Sequence, residues 1–156
     1  MSLTYNNILV AVDGSKEAEW AFKKAVQVAR RNDAHLYVTH IIDTRNFATI
    51  EAYDRTMAER SESYAKELLE EYKQEAEKAG LTHVHVEVEY GSPKVIIPRD
   101  LAKKYNIDLI MCGATGLNAV ERFLIGSVSE HIMRYAKCDV LIVRTETELK
   151  SEEKAE

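Results

Sequence analysis

Five short apolar runs, separated by polar turns and by stretches of helical periodicity, constrain this chain more than any other feature. Asn7 to Val12, NILVAV, is almost uninterrupted and ends in Asp13-Gly14-Ser15, the pattern of a strand buried on both faces. Ala34 to Ile42 (AHLYVTHII), Asp108 to Cys112 (DLIMC) and Asp139 to Arg144 (DVLIVR) read as further strands. Val84, Val86, Val88 and Tyr90 alternate with His83, His85, Glu87 and Glu89. That period of two predicts a strand with a wetter face, suited to the edge of a sheet.

Between the runs the apolar spacing changes to three and four. Ala18, Ala21, Phe22, Ala25, Val26 and Ala29 make one face of a helix that runs to about Arg31, with Ser15 placed to cap it and Glu17 in its first turn. Asp43 to about Ile50 reads as a polar connection, and a long helix follows to Ala79, its stripe drawn from Ala58, Ala65, Leu68, Leu69, Tyr72 and Ala76. Gly80 suits the position just past its end. Gly91-Ser92-Pro93 predicts a turn, an N-cap and an N1 proline, whereas Pro98 conflicts with a regular helix and predicts a kinked or irregular first half. Ser127 to Tyr135 reads as the last helix.

Strand and helix in alternation imply right-handed crossovers and a mostly parallel sheet covered on both sides. The expected fold is a Rossmann-like three-layer α/β sandwich, with a five-stranded parallel sheet in the order 3-2-1-4-5. One domain over residues 1–145 and a polar tail over 146–156 account for the chain. In such folds ligands bind beyond the carboxyl ends of the strands, where the strand order reverses. The polar loops at Asp13, Asp43 and Gly113 belong to that end.

Charge narrows the function. Lys and Arg total 21 against 26 for Asp and Glu, a formal charge of -5, so no broad field draws in nucleic acid or an anionic membrane. No run approaches about 18 apolar residues, and the amino-terminal stretch has no leader pattern, which makes a cytoplasmic location the default expectation. Cys112 and Cys138 form no CxxC pair and read as small buried hydrophobes. His83 and His85 share a strand face, but a zinc site needs further converging ligands, so no metal site is expected.

The segment after the fourth strand is the chemically suggestive one. Gly113, Gly116 and Gly126 are spaced as Gly, two residues, Gly, nine residues, Gly, and Ser127 follows at the start of a helix. Gly113 would let a ligand approach the backbone, and Gly116 could adopt a positive φ. The N–H groups of Gly126 and Ser127 could face an anion with the helix N-terminus behind them. A turn followed by an ordinary helix cap explains the same residues. Neither a Walker A motif nor GxGxxG is present.

Taken together, NILVAVDGS, THIID, GSPKVII, NIDLIMCGATG and IGSVSEHIMRYAKCDVLIVR resemble, in the same order, motifs of the universal stress protein family, over roughly residues 5 to 145. The glycine pattern resembles the signature of the family's ATP-binding branch. The resemblance implies ATP as ligand. Asp13 would lie near ribose and phosphates, Val12 against the nucleotide, and the Ile41 main chain at the adenine edge. Gly113, Gly116, Gly126 and Ser127 would surround ribose and phosphates. Ala114 and Thr115 depart from the polar or basic residue often found near the second glycine, which bears on affinity.

Mg²⁺ or Mn²⁺ would arrive with the nucleotide, since Asp13 alone is too few protein ligands for a metal cage. The resemblance also implies a homodimer through the fifth strand, Val140 to Val143, and an unidentified protein partner reading the bound state. The leading expectation is an ATP-binding stress-response or regulatory switch. A slow ATP hydrolase and an ATP-independent structural or chaperone-like dimer are the alternatives. Arg122, Arg134 and His131 default to surface positions, and no catalytic residue is expected.

Overall fold

The computed structural model describes residues 3–43, 55–115 and 125–145. The connection at 44–50, Gly116, Arg122 and the tail at 146–156 lie outside the described residues. Five strands, β1 (Asn7–Ala11), β2 (His35–Ile42), β3 (Val84–Tyr90), β4 (Leu109–Gly113) and β5 (Asp139–Val143), pair in parallel in the order β3-β2-β1-β4-β5. That is the expected order, with β1 at the centre and the reversal between β1 and β4.

Helix α1 (Lys16–Asn32) begins as its sequence predicts, with Ser15 extended and its hydroxyl accepting the Ala18 N–H at 3.1 Å. It ends at Asp33, whose N–H reaches the Ala29 and Arg30 carbonyls and whose left-handed φ of 52° turns the Ala34 N–H back onto the Ala29 carbonyl at 2.9 Å. Helix α2 (Arg55–Lys78) buries Ala65, Leu69, Tyr72 and Ala76. Both helices cover one face of the sheet, over Ile8, Val10, Leu36, Val38, Leu109 and Met111. Phe22 is fully buried where they meet, its ring 4.5 Å from that of Tyr72.

The other face is covered by α5 (Ser127–Tyr135) and by a helical stretch of three parts. These are α3 (Pro93–Val95), a π-helical segment (Ile96–Leu101) and α4 (Ala102–Lys104). The irregularity expected at Pro98 therefore takes the form of a π segment, in which the wider ladder accommodates a residue with no N–H to give. Pro98 itself is buried, and Ile97 and Leu101 pack with Leu9, Ile110 and Ile132 into a second core cluster. Ser92 occupies the expected N-cap position with Pro93 just after it, although its hydroxyl makes no capping bond. The Ser92 carbonyl instead takes the Val95 and Ile96 N–H groups, and the proline at N1 has none to cap.

β3 lies at one edge, as its alternation predicts, with Glu87 and Glu89 reaching Lys104 at 3.5 and 3.7 Å. These exposed pairs add little stability but keep charge on an open strand border. Replacing Phe22 by Ala should cost about 3–5 kcal/mol, since the cavity lies between two helices that sit on a rigid sheet. Urea unfolding of the ligand-free chain measures it, and a change below about 1 kcal/mol would mean that the Phe22–Tyr72 contact does not anchor α1 to α2.

Candidate functional site

The carboxyl ends of β1, β2, β4 and β5 come together in register. Ala11 pairs with Thr39, Val10 with Met111, and Gly113 with Val143. Just past β1, the Val12 N–H donates to the Thr39 carbonyl at 2.9 Å, and the Val12 carbonyl accepts from His40 Nδ1 at 2.8 Å. The chain then turns at Gly14, φ 84°, with the Ser15 N–H donating to Asp13 Oδ1 at 2.9 Å. A side chain at Gly14 would run into the Tyr64 hydroxyl of α2.

Val12 follows Ala11, the partner of Thr39, and Ile41 lies two residues beyond Thr39; the side chains of Val12 and Ile41 join different cores. Val12 is buried among the α1 and α2 contacts, whereas Ile41 is half-buried on the α5 side. Tyr72, beneath this corner, has its phenol pushed up to about 12, first by burial and then by the charges of Glu19 and Asp13.

At the other wall, Gly113 does something the sequence reading did not anticipate. A Cβ there would lie 2.9 Å from Glu17 Cβ and 3.0 Å from the Glu17 carbonyl, so this glycine is required by the close approach of α1 to β4. The Gly113 carbonyl is also engaged, accepting the buried Ser129 hydroxyl at 2.6 Å. Ser129 was missed in the sequence; its only local signal is a second serine two places into a helix. It fastens the first turn of α5 onto the end of β4.

Gly126 is the N-cap of α5, and its amide does not face outward as expected. It donates to the Ala114 carbonyl at 2.6 Å. The first bond within α5 runs from the Glu130 N–H to the Gly126 carbonyl at 2.9 Å. The N–H groups of Ser127, Val128 and Ser129 therefore have no acceptor inside the helix, and Ser127 is exposed at its mouth. An anion at this end would meet those three donors and the positive end of the helix. Gly116 lies outside the described residues.

Elsewhere the titratable groups are occupied with one another. His35 Nδ1 and His85 Nε2 share a hydrogen bond of 3.0 Å, and the His85 imidazole is held below its ordinary range by burial and then by His35 and His83. His131 stacks on Tyr135 at 4.4 Å, and Arg134 pairs with Glu130. Among the described residues no group of three or more metal-ligating side chains forms. A cleft of about 550 Å³ exists at the opposite end of the sheet, lined by Tyr5, Arg31, Asn32, Asp139 and Leu141. It faces strand starts, with Tyr5 bonded to Asp139 at 2.7 Å, and shares no residue with the crevice.

A family model described as the universal stress protein family matches residues 4–144. A universal stress protein of Staphylococcus haemolyticus is 60% identical over 144 residues, covering 92% of this chain and 87% of the relative. Among solved structures, the universal stress protein UspA from Lactobacillus plantarum is 33% identical with a TM-score of 0.83, over 92% of this chain and 100% of that one. A universal stress protein in complex with cAMP is 28% identical with a TM-score of 0.67, over 90% of this chain and 98% of that one.

Gly113→Ala should destabilise the ligand-free chain by about 1–3 kcal/mol, because the added methyl meets α1 main chain that cannot swing aside. Denaturant unfolding without nucleotide checks it, and an unchanged midpoint would return the glycine to a purely ligand-binding role. Burial pushes the Cys112 thiol up to about 11 and also raises that of Cys138, which is only half-buried and so more open to a reagent. A disulfide reagent at pH 8 should therefore modify Cys138 well before Cys112 in the native chain. Equal rates would contradict the burial of β4.

Proposed function

Because this chain belongs to the universal stress protein family, we propose that it binds ATP in the crevice between β1 and β4 and acts as a nucleotide-dependent switch in stress response or regulation. The observation that carries this reading is the convergence of the β1, β2 and β4 carboxyl ends on the first turn of α5, with three N–H groups there lacking helical acceptors. Such donors stabilise phosphate without a lysine, which suits a chain of charge -5. The relative solved in complex with cAMP supports an adenine nucleotide as the class of ligand.

In this reading Val12 lies against the nucleotide, and the Ile41 main chain reads the adenine edge. Gly113 and Gly116 border the ribose, and Ser127 takes the phosphates with its hydroxyl and amide. Gly126 contributes shape, since its amide is already bonded to Ala114. Asp13 gives one oxygen to Ser15, which leaves the other to a Mg²⁺ or Mn²⁺ ion that enters with the phosphates. A nucleotide touching the loops after three strands favours the one loop arrangement it fits, and a protein partner can read that arrangement. The same reading includes a homodimer through β5, supported by an edge position and by half-buried Val140, Leu141 and Ile142.

The test is to identify small molecules released from the purified native chain, then titrate nucleotide-free protein with ATP, ADP and AMP, with and without Mg²⁺. Selective ATP binding, weakened about ten-fold in Ser127→Ala, is expected. Equal weak binding of ATP and inorganic polyphosphate would reduce the site to a general anion nest and remove the switch.

A further inference from the structure

We propose that His40 is a positioning residue for the crevice: its imidazole locks the Val12–Asp13 peptide so that the Asp13 N–H is aimed at the ligand. The proposal rests on the nucleotide reading above and adds to it a residue, on a neighbouring strand, that acts through the backbone.

β1 ends at Ala11, so Val12 lies beyond the regular ladder, yet both of its main-chain groups are engaged from β2. Its N–H reaches the Thr39 carbonyl at 2.9 Å, and its carbonyl is 2.8 Å from His40 Nδ1. A carbonyl only accepts, so Nδ1 must carry the hydrogen, which fixes the tautomer of a neutral ring. The peptide between Val12 and Asp13 is trans and planar, so the Asp13 N–H points opposite to the Val12 carbonyl. With the carbonyl held toward β2, the Asp13 N–H is directed to the other side of β1, where β4 lies and the strand order reverses.

Two further contacts keep that donor available. The Asp13 carboxylate is turned forward onto the Ser15 N–H at 2.9 Å. The Tyr64 ring meets the half-buried imidazole edge-on, with centroids 6.1 Å apart, while its hydroxyl closes over Gly14. The His40 imidazole is thus held between Val12, just past β1, and Tyr64 of α2, and the turn it stabilises carries the residue proposed to face ribose and phosphates.

The experiment compares the full chain with His40→Leu, which has no donor, and His40→Asn, whose side-chain amide can place an N–H near the Nδ1 position. ¹⁵N spectra of the ligand-free chain report the imidazole tautomer and the Asp13 amide, and calorimetry reports MgATP affinity. An Nδ1–H imidazole is expected in the wild type. In H40L the Asp13 amide should move and MgATP binding fall about ten-fold, the effect of one misdirected hydrogen bond, with both largely restored in H40N. An Nε2–H tautomer, or a folded H40L with unchanged Asp13 amide and affinity, overturns the proposal. If H40L does not fold, the tautomer and H40N decide. A wild type that binds no nucleotide ends the reading of the site, whereas the tautomer and the Asp13 amide still decide whether His40 holds the peptide.

Discussion

Parallel pairing of β1 with β2 on one side and β4 on the other is the constraint on which the rest of the structure depends. A central strand flanked this way sends the chain out to opposite faces, α1 to one and α5 to the other. The two segments leaving the sheet therefore part above the β1–β4 border, where folds of this kind take their ligands. Much of what is assembled at that point is held by contacts to the main chain: Gly113 against Glu17, the Ser129 hydroxyl on the Gly113 carbonyl, and the Gly126 amide on the Ala114 carbonyl. Such a frame positions donors with little dependence on side-chain freedom.

Rigidity on the β4 side contrasts with the construction on the β1 side. The β4 wall is closed by a backbone-to-backbone approach that tolerates no Cβ, and α5 is fastened to it by a buried hydroxyl. The β1 wall is an extended segment steadied by an imidazole from β2 and a tyrosine from α2. A ligand bridging the two walls would connect the α1–α2 layer to the α5 layer through the only border of the sheet at which strand order reverses.

Much of the fold was legible because it is written in local periodicity. The runs at Ile8, Leu36, Val84, Leu109 and Leu141 became strands, the Ser15 cap and the Gly80 stop held, and the charged alternation of β3 marked an edge. The less legible features join residues distant in sequence or depend on competition for a donor. Pro98 announced an irregular helix but not a π ladder. Ser92 sits at the N-cap as expected, but it serves through its carbonyl, which takes the Val95 and Ile96 N–H groups, and not through its hydroxyl. At the site, Gly113 was read as room for a ligand, and the close approach of Glu17 adds a packing reason for a glycine that the sequence does not display. Ser129 and His40 act on residues 16 and 28 positions away, so no window of sequence displays their role.

The two borders of the sheet are chemically unequal. β3 presents Glu87 and Glu89, which share the one cation of Lys104 and keep a net negative charge, while β5 carries a carboxylate only at Asp139, its first residue. A strand arriving from another copy meets a charged row on one border and an aliphatic row on the other. If the proposed homodimer forms through β5, growth by strand addition would be one-sided: with two aliphatic borders joined, both outward margins would be the charged ones, and association would stop at a closed pair instead of continuing into a filament.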